Sequence, residues 1–205
     1  MIPQYHIEPG VAVDNFDPVL PEADDIVHGF AAVHDYGPLI TTTWPDVRLC
    51  IAFEERWIAL ASRAQSPDEF DALLDAIGED DEDEQLDLAE TCAGVDVGVA
   101  SLALALSAAG AVTASSCRGH PRLPGTVPGV AFVCERSRLV LLASVIGAGP
   151  YRLDDGAQDG LIWLVCPSVV EAITLAKTLV DRSGDFEALA PPPWRAGIDE
   201  ALAAS

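Results

Sequence analysis

Bases are nearly missing from this sequence. Lys177 is its one lysine, and ten arginines bring the basic total to 11 against 33 acids, a formal net charge of −22 over 205 residues. A field of that sign repels phosphate backbones, which argues against general DNA or RNA binding. Two readings of the charge remain: solubility, or attraction of a basic protein partner. Close cysteine pairs are also missing. Cys50, Cys92, Cys117, Cys134 and Cys166 are odd in number and widely spaced, which points to free thiols in a reducing compartment. The opening Met1-Ile-Pro-Gln-Tyr-His6 has neither a basic nor an apolar leader region, so a cytoplasmic protein is expected. No Gly-x-Ser-x-Gly, His-Glu-x-x-His or phosphate-loop motif occurs; a conventional hydrolase is unsupported and no cofactor is implied.

Charge is absent from Val97 to Cys117, a run of 21 residues. That length permits a membrane span. Gly110 interrupts it, however, and the β-formers Val112 and Thr113 follow. A buried helix over Val97–Ala109, capped by Asp96 and closed by Gly110, fits better, with no membrane partner. Half of the residues are hydrophobic and the mean hydropathy is +0.26, which excludes a largely disordered chain.

The organisation divides at two places. Residues 1–47 hold eight acids, no lysine or arginine, and six prolines, the composition of an extended acidic arm. A single α+β domain is expected over 48–182, and a Pro-rich tail over 183–205 contains Pro191-Pro-Pro-Trp194. Within the domain, the apolar runs Leu49–Phe53 and Trp57–Ala61 around Glu54, Glu55 and Arg56 read as a β-hairpin. Ser66-Pro67-Asp68-Glu69 is a helix-start signature, predicting a helix over Pro67–Ile77 with Phe70, Leu73, Leu74 and Ile77 on one face. Twelve acids and no base fall between Asp68 and Glu90. Glu79–Glu84 reads as a solvated loop, because six adjacent carboxylates repel, and a short helix is expected over Gln85–Ala93. Further on come strands over Ala111–Ser116, Val130–Cys134, Tyr151–Leu153 and Leu161–Cys166, a turn at Asp154-Asp155-Gly156, and helices over Arg136–Ile146 and Val169–Val180. The fold class is α+β: one mixed or antiparallel sheet, covered mainly on one face, with the buried helix 97–109 at its centre and helices flanking it.

The segment Ser115-Ser-Cys-Arg-Gly-His120 carries the most chemistry. It follows a strand and gathers a thiol, a guanidinium and an imidazole around a glycine. Charge reverses around it. Residues 97–153 hold five arginines and one acid, a net +4, so the remainder of the −22 chain carries −26. Such a basic island suits an anion, with Ser115, Ser116, Arg118, Gly119, Arg136 and Arg138 as candidate ligand-binding residues for a small anionic group. The alternative is that the protein's own acids, from Glu135, Asp154, the arm or the acidic loop, occupy the place. Cys117 and His120 are the catalytic candidates: a thiol activated by Arg118 and His120, or a structural pair. Cys117-x-x-His120 is only half of a metal site and would need His28, His34 or Cys134 to complete it; no metal is assigned.

The segment from Asp96 through Ala105-Leu-Ser-Ala-Ala-Gly110, followed by Ser116-Cys117-x-Gly119 and Pro128-x-Val130-x-Phe132, resembles a group of bacterial proteins with this helix and a strand ending in Ser-Cys-x-Gly near a histidine. The resemblance spans about residues 95–180 and implies a fold rather than an activity. The four-residue element is also similar to a loop of the Tyw3-like tRNA-wybutosine methyltransferases. That likeness implies S-adenosylmethionine chemistry on RNA, but His120 stands where that family has arginine. Two functions are carried forward. One is a cytoplasmic acidic partner-binding or regulatory protein, of the immunity- or defence-component kind. The other is a small enzyme or nucleotide-ligand sensor working at the 115–120 loop.

Overall fold

A helix that is apolar on every side can only sit in the middle of a fold, and Ala100–Ala108 does. In the computed structural model, which describes residues 1–11, 18, 20–27, 39–77, 92, 94–147, 149–155 and 161–204, every residue from Ala100 to Leu106 is buried. The elements, in chain order, are β1 (Gly10–Val11), α1 (Ala23–Val27), α2 (Trp44–Ala61), α3 (Pro67–Ile77), α4 (Ala100–Ala108), β2 (Val112–Arg118), β3 (Pro128–Val133), α5 (Arg136–Ile146), β4 (Arg152–Asp155), β5 (Ile162–Val165), α6 (Val169–Asp181), α7 (Ser183–Glu187), a 3-10 turn (Pro193–Arg195) and α8 (Ile198–Ala204). The fold is α+β. Its five-stranded mixed sheet runs β1-β4-β5-β3-β2, with only the β1–β4 pair parallel. Alternation along β3 and β5 divides the core. Val130, Phe132, Ile162 and Leu164 join the main core with α4 and α6, behind which α2 packs, whereas Ala131, Val133, Leu161 and Trp163 share the second core with Ile26, Trp194 and Ile198 on the other side. The sheet is therefore covered on both faces, not mainly on one.

Several expectations meet the structure residue for residue. The helices α3 and α5 have the expected bounds, and α6 runs one residue past its expected end. Ser168 caps α6 by accepting the Glu171 N–H at 3.3 Å. The tail docks: Trp194 is 4% exposed and its Nε1 donates to the Gly110 carbonyl at 3.2 Å.

The β-hairpin expected over 49–61 is instead the 18-residue helix α2. Its buried residues Val47, Cys50, Ile51, Glu54, Ile58 and Ala61 repeat at helical spacing. Its start is signed by Pro45 in the first turn and by Asp46, whose Oδ2 accepts the Thr43 N–H at 2.7 Å and the Thr43 hydroxyl at 2.6 Å. The helix thus begins inside the segment read as an arm, which also contributes β1 and α1. Asp96 does not cap α4 with its side chain either. The N-cap position is Val99, and the missing acceptor comes from α2. The fully buried Glu54 carboxylate accepts the N–H groups of Gly98 (2.5 Å), Ala100 (2.9 Å) and Ser101 (3.1 Å). Those are the orphan donors of a helix start, where negative charge is favoured. The Glu79–Glu84 loop, the Gln85–Ala93 helix apart from Cys92, His28, His34 and Gly156 of the expected turn lie outside the described residues.

Candidate functional site

The segment expected as a loop is mostly strand. Ser115 and Ser116 pair with Ala131 and Val130 in the β2–β3 ladder, and Cys117 and Arg118 pair with Gly129 and Pro128. The chain turns at Gly119, where φ is +76°. A Cβ there would lie 2.7 Å from Pro128 Cδ and 2.9 Å from the Tyr5 ring, so the turn admits only glycine.

Arg118 meets α3. Phe70 and Leu74 point into the core, which leaves Asp68, Asp71 and Asp75 one turn apart on a different face. That face lies against the end of β2. Arg118 Nε donates to Asp71 Oδ1 at 2.9 Å, Nη2 pairs with Asp75, and Nη1 lies 3.7 Å from Asp96 Oδ1. Asp71 also receives His120, whose Nδ1 is 3.1 Å from Oδ2, and Arg122 pairs with Asp68 at 3.2 Å. One acidic helix face thus takes up the basic run 118–122. Arg118 is 6% exposed and Asp71 13%. Burial alone would lower the guanidinium pKa, but the bonds from Asp75 and Asp71 outweigh it and hold the pKa above its ordinary value. Arg118 is therefore a charged, enclosed hub whose three nitrogens all face carboxylates of this chain.

The neighbouring thiol is not activated. Burial pushes the half-buried Cys117 up, with Asp96 adding to the rise, and the Gly119 N–H donated to its sulfur at 3.3 Å only partly opposes this. Tyr5 closes the cluster from the N-terminal segment. Its N–H bonds to the Pro167 carbonyl at 2.8 Å, its hydroxyl is buried without a hydrogen-bond partner among the described residues, and burial followed by Asp71 lifts its pKa to about 12.

The structure does not bring Arg136 and Arg138 to this cluster. They start α5, which follows the end of β3 that pairs with Val112, six residues along β2 from Arg118. Arg138 is buried there and knits the fold. Its Nε donates to the Ala109 carbonyl at 2.7 Å and its Nη2 to the Ala190 carbonyl at 2.8 Å, and it contacts Glu135. Gly110 makes room for it, since a Cβ at that +93° φ would stand 2.4 Å from Arg138 Nε. Arg136 is exposed. Cys134 is likewise at the far end of the ladder from Cys117, and no group of three metal-ligating side chains occurs among the described residues. Two of the acids expected to fill an anion site do pair, Glu135 with Arg138 and Asp154 with Arg152. The partners of Arg118 were missed by sequence reasoning. The signal was present: acids at 68, 71 and 75 on a helix, and bases at 118, 120 and 122 on an extended run.

No helix among the described residues is long and apolar enough to cross a membrane. Compared with models of protein families, with curated proteins and with solved structures, the chain matches none.

Proposed function

We propose that the protein is an acidic binding module that docks a basic protein partner in the cytoplasm, as an immunity-type or regulatory component does. One observation carries the reading. Six of the eleven bases meet a carboxylate of the same chain: Arg118, Arg122, Arg138, Arg152, Lys177 and Arg182. With 33 acids against 11 bases, the unneutralised surplus is anionic. Such a surface speeds encounter with a positively charged partner and suppresses anionic ones. The test is native purification at about 150 mM and about 500 mM salt, with the retained proteins identified by mass spectrometry. A stoichiometric partner of high isoelectric point, held at the lower salt and released at the higher, is the expected result. A partner that is acidic, or that is held equally at both, overturns the reading.

A second reading, a small enzyme or nucleotide-ligand sensor at Ser115–His120, is favoured by one feature. Asp71 orients His120 through Nδ1, beside Cys117 and the buried Tyr5 hydroxyl. It is weakened by the protonated state that a raised pKa gives the thiol, and by the three carboxylates around Arg118. A melting shift with millimolar ATP or inorganic phosphate would favour it over the first reading, since anything that binds the folded state must stabilise it.

A further inference from the structure

We infer that Cys50 and Cys92 are an intrachain cross-linking site, joined as a disulfide when the protein meets an oxidant. Their Sγ atoms touch at 3.5 Å although the residues are 42 apart in sequence. This is the one thiol–thiol contact among the described residues, and both side chains are fully enclosed in the main core. A disulfide needs a sulfur separation of about 2.05 Å, so the two atoms have to close by roughly 1.5 Å.

The placement gives the bond a consequence. Cys50 stands on the buried stripe of α2 one turn before Glu54, the residue that holds the turn ahead of α4 through the N–H groups of Gly98, Ala100 and Ser101. The Cys92 carbonyl accepts the Val95 N–H at 2.9 Å, so Cys92 belongs to the entry of that same turn. A disulfide would add a covalent anchor beside the hydrogen-bonded one. It would also enclose α3, with Asp71 and Asp75, in the closed loop.

The chemistry is thiol–disulfide exchange with a low-molecular-weight disulfide such as oxidised glutathione. The thiolate of one cysteine attacks the reagent and forms a mixed disulfide, releasing one glutathione thiolate. The thiolate of the other cysteine then attacks the mixed disulfide, the Sγ–Sγ bond forms, and the second glutathione leaves. The two cysteines lose two protons and two electrons, and the reagent takes up both electrons to become two thiols. Because both sulfurs are enclosed, exchange waits on local opening and accelerates in sub-denaturing urea. Half-buried Cys117 takes up glutathione without that delay.

The test treats the whole purified chain with excess oxidised glutathione, with and without sub-denaturing urea, followed by intact mass and peptide mapping. A product about 2 Da lighter, or that product carrying glutathione on Cys117, is expected, with the Cys50 peptide linked to the Cys92 peptide. Its melting temperature should exceed that of the reduced chain by about 5–10 °C, and dithiothreitol should reverse the shift. Cys50→Ala and Cys92→Ala should each remove the linked peptide. Glutathione on both cysteines with no link, a link through Cys117 instead, no reaction even in urea, or a melting temperature that does not rise would each overturn the inference.

Discussion

Replacing Arg118 by alanine separates a structural hub from a ligand site. The guanidinium is 6% exposed and bonds Asp71, itself 13% exposed, while Asp75 and Asp96 are 60% and 39% exposed. Removal leaves Asp71, in a largely enclosed place, with His120 as its remaining partner among the described residues. A lost hydrogen bond to a charged group costs about 1.5–3 kcal/mol, and the aliphatic stem adds lost packing. The pairs with Asp75 and Asp96 add at most about 1 kcal/mol, because water takes over at exposed carboxylates. The sum is about 2–4 kcal/mol, equivalent to a melting temperature lower by roughly 5–12 °C for a chain of this size. Arg118→Lys should recover only part of the loss, since an ammonium cannot serve three carboxylates from a planar fork. Urea and thermal unfolding of both variants, alongside partner binding, make the assay. A loss of stability under about 0.5 kcal/mol, or full rescue by lysine, would refute the hub reasoning. Loss of binding at unchanged stability would show that the loop is a functional centre instead.

Glu54→Gln should lower stability by about 1–3 kcal/mol, because its amide NH2 would face one of the N–H groups the carboxylate accepts. Burial raises the Glu54 pKa in the folded state above the ordinary carboxylate value. The folded chain therefore binds the proton more tightly, and wild-type stability relative to Glu54→Gln should fall as pH rises from about 4.5 through the folded pKa; a difference that grows with pH across that window would refute this. Gly119→Ala, which meets Pro128 and Tyr5 at a positive φ, should destabilise by about 2–4 kcal/mol in urea unfolding. Trp194→Ala should cost about 3–5 kcal/mol, measured in the same way; a cost near zero would mean that the tail is dispensable to the fold.

Periodicity and end signals made most of the fold legible. Ser66-Pro67 announced α3, and the uncharged run interrupted by Gly110 announced a central helix. α2 was misread because Glu54, Glu55 and Arg56 look like the polar tip of a hairpin, when Glu54 is the buried acceptor for another helix start. A carboxylate that faces inward breaks the pattern of apolar-in and polar-out on which sequence reading depends. At the site, the residues that share a turn with Arg118 were visible, since sequence neighbours are spatial neighbours there. Its two hydrogen-bonded partners lay 43 and 47 residues away on α3, and only the approach of α3 to the end of β2 set that pairing. Arg136 and Arg138 were grouped with Arg118 by charge, and the ladder β2–β3 places them at its opposite end.

The claim that surplus carboxylates recruit a cationic partner is tested most directly by the association rate of the native complex across ionic strength. Between about 50 and 500 mM salt the on-rate should fall at least about tenfold while the off-rate changes little, the mark of electrostatic steering. An on-rate independent of salt, or one that rises as salt screens like charges, would contradict it.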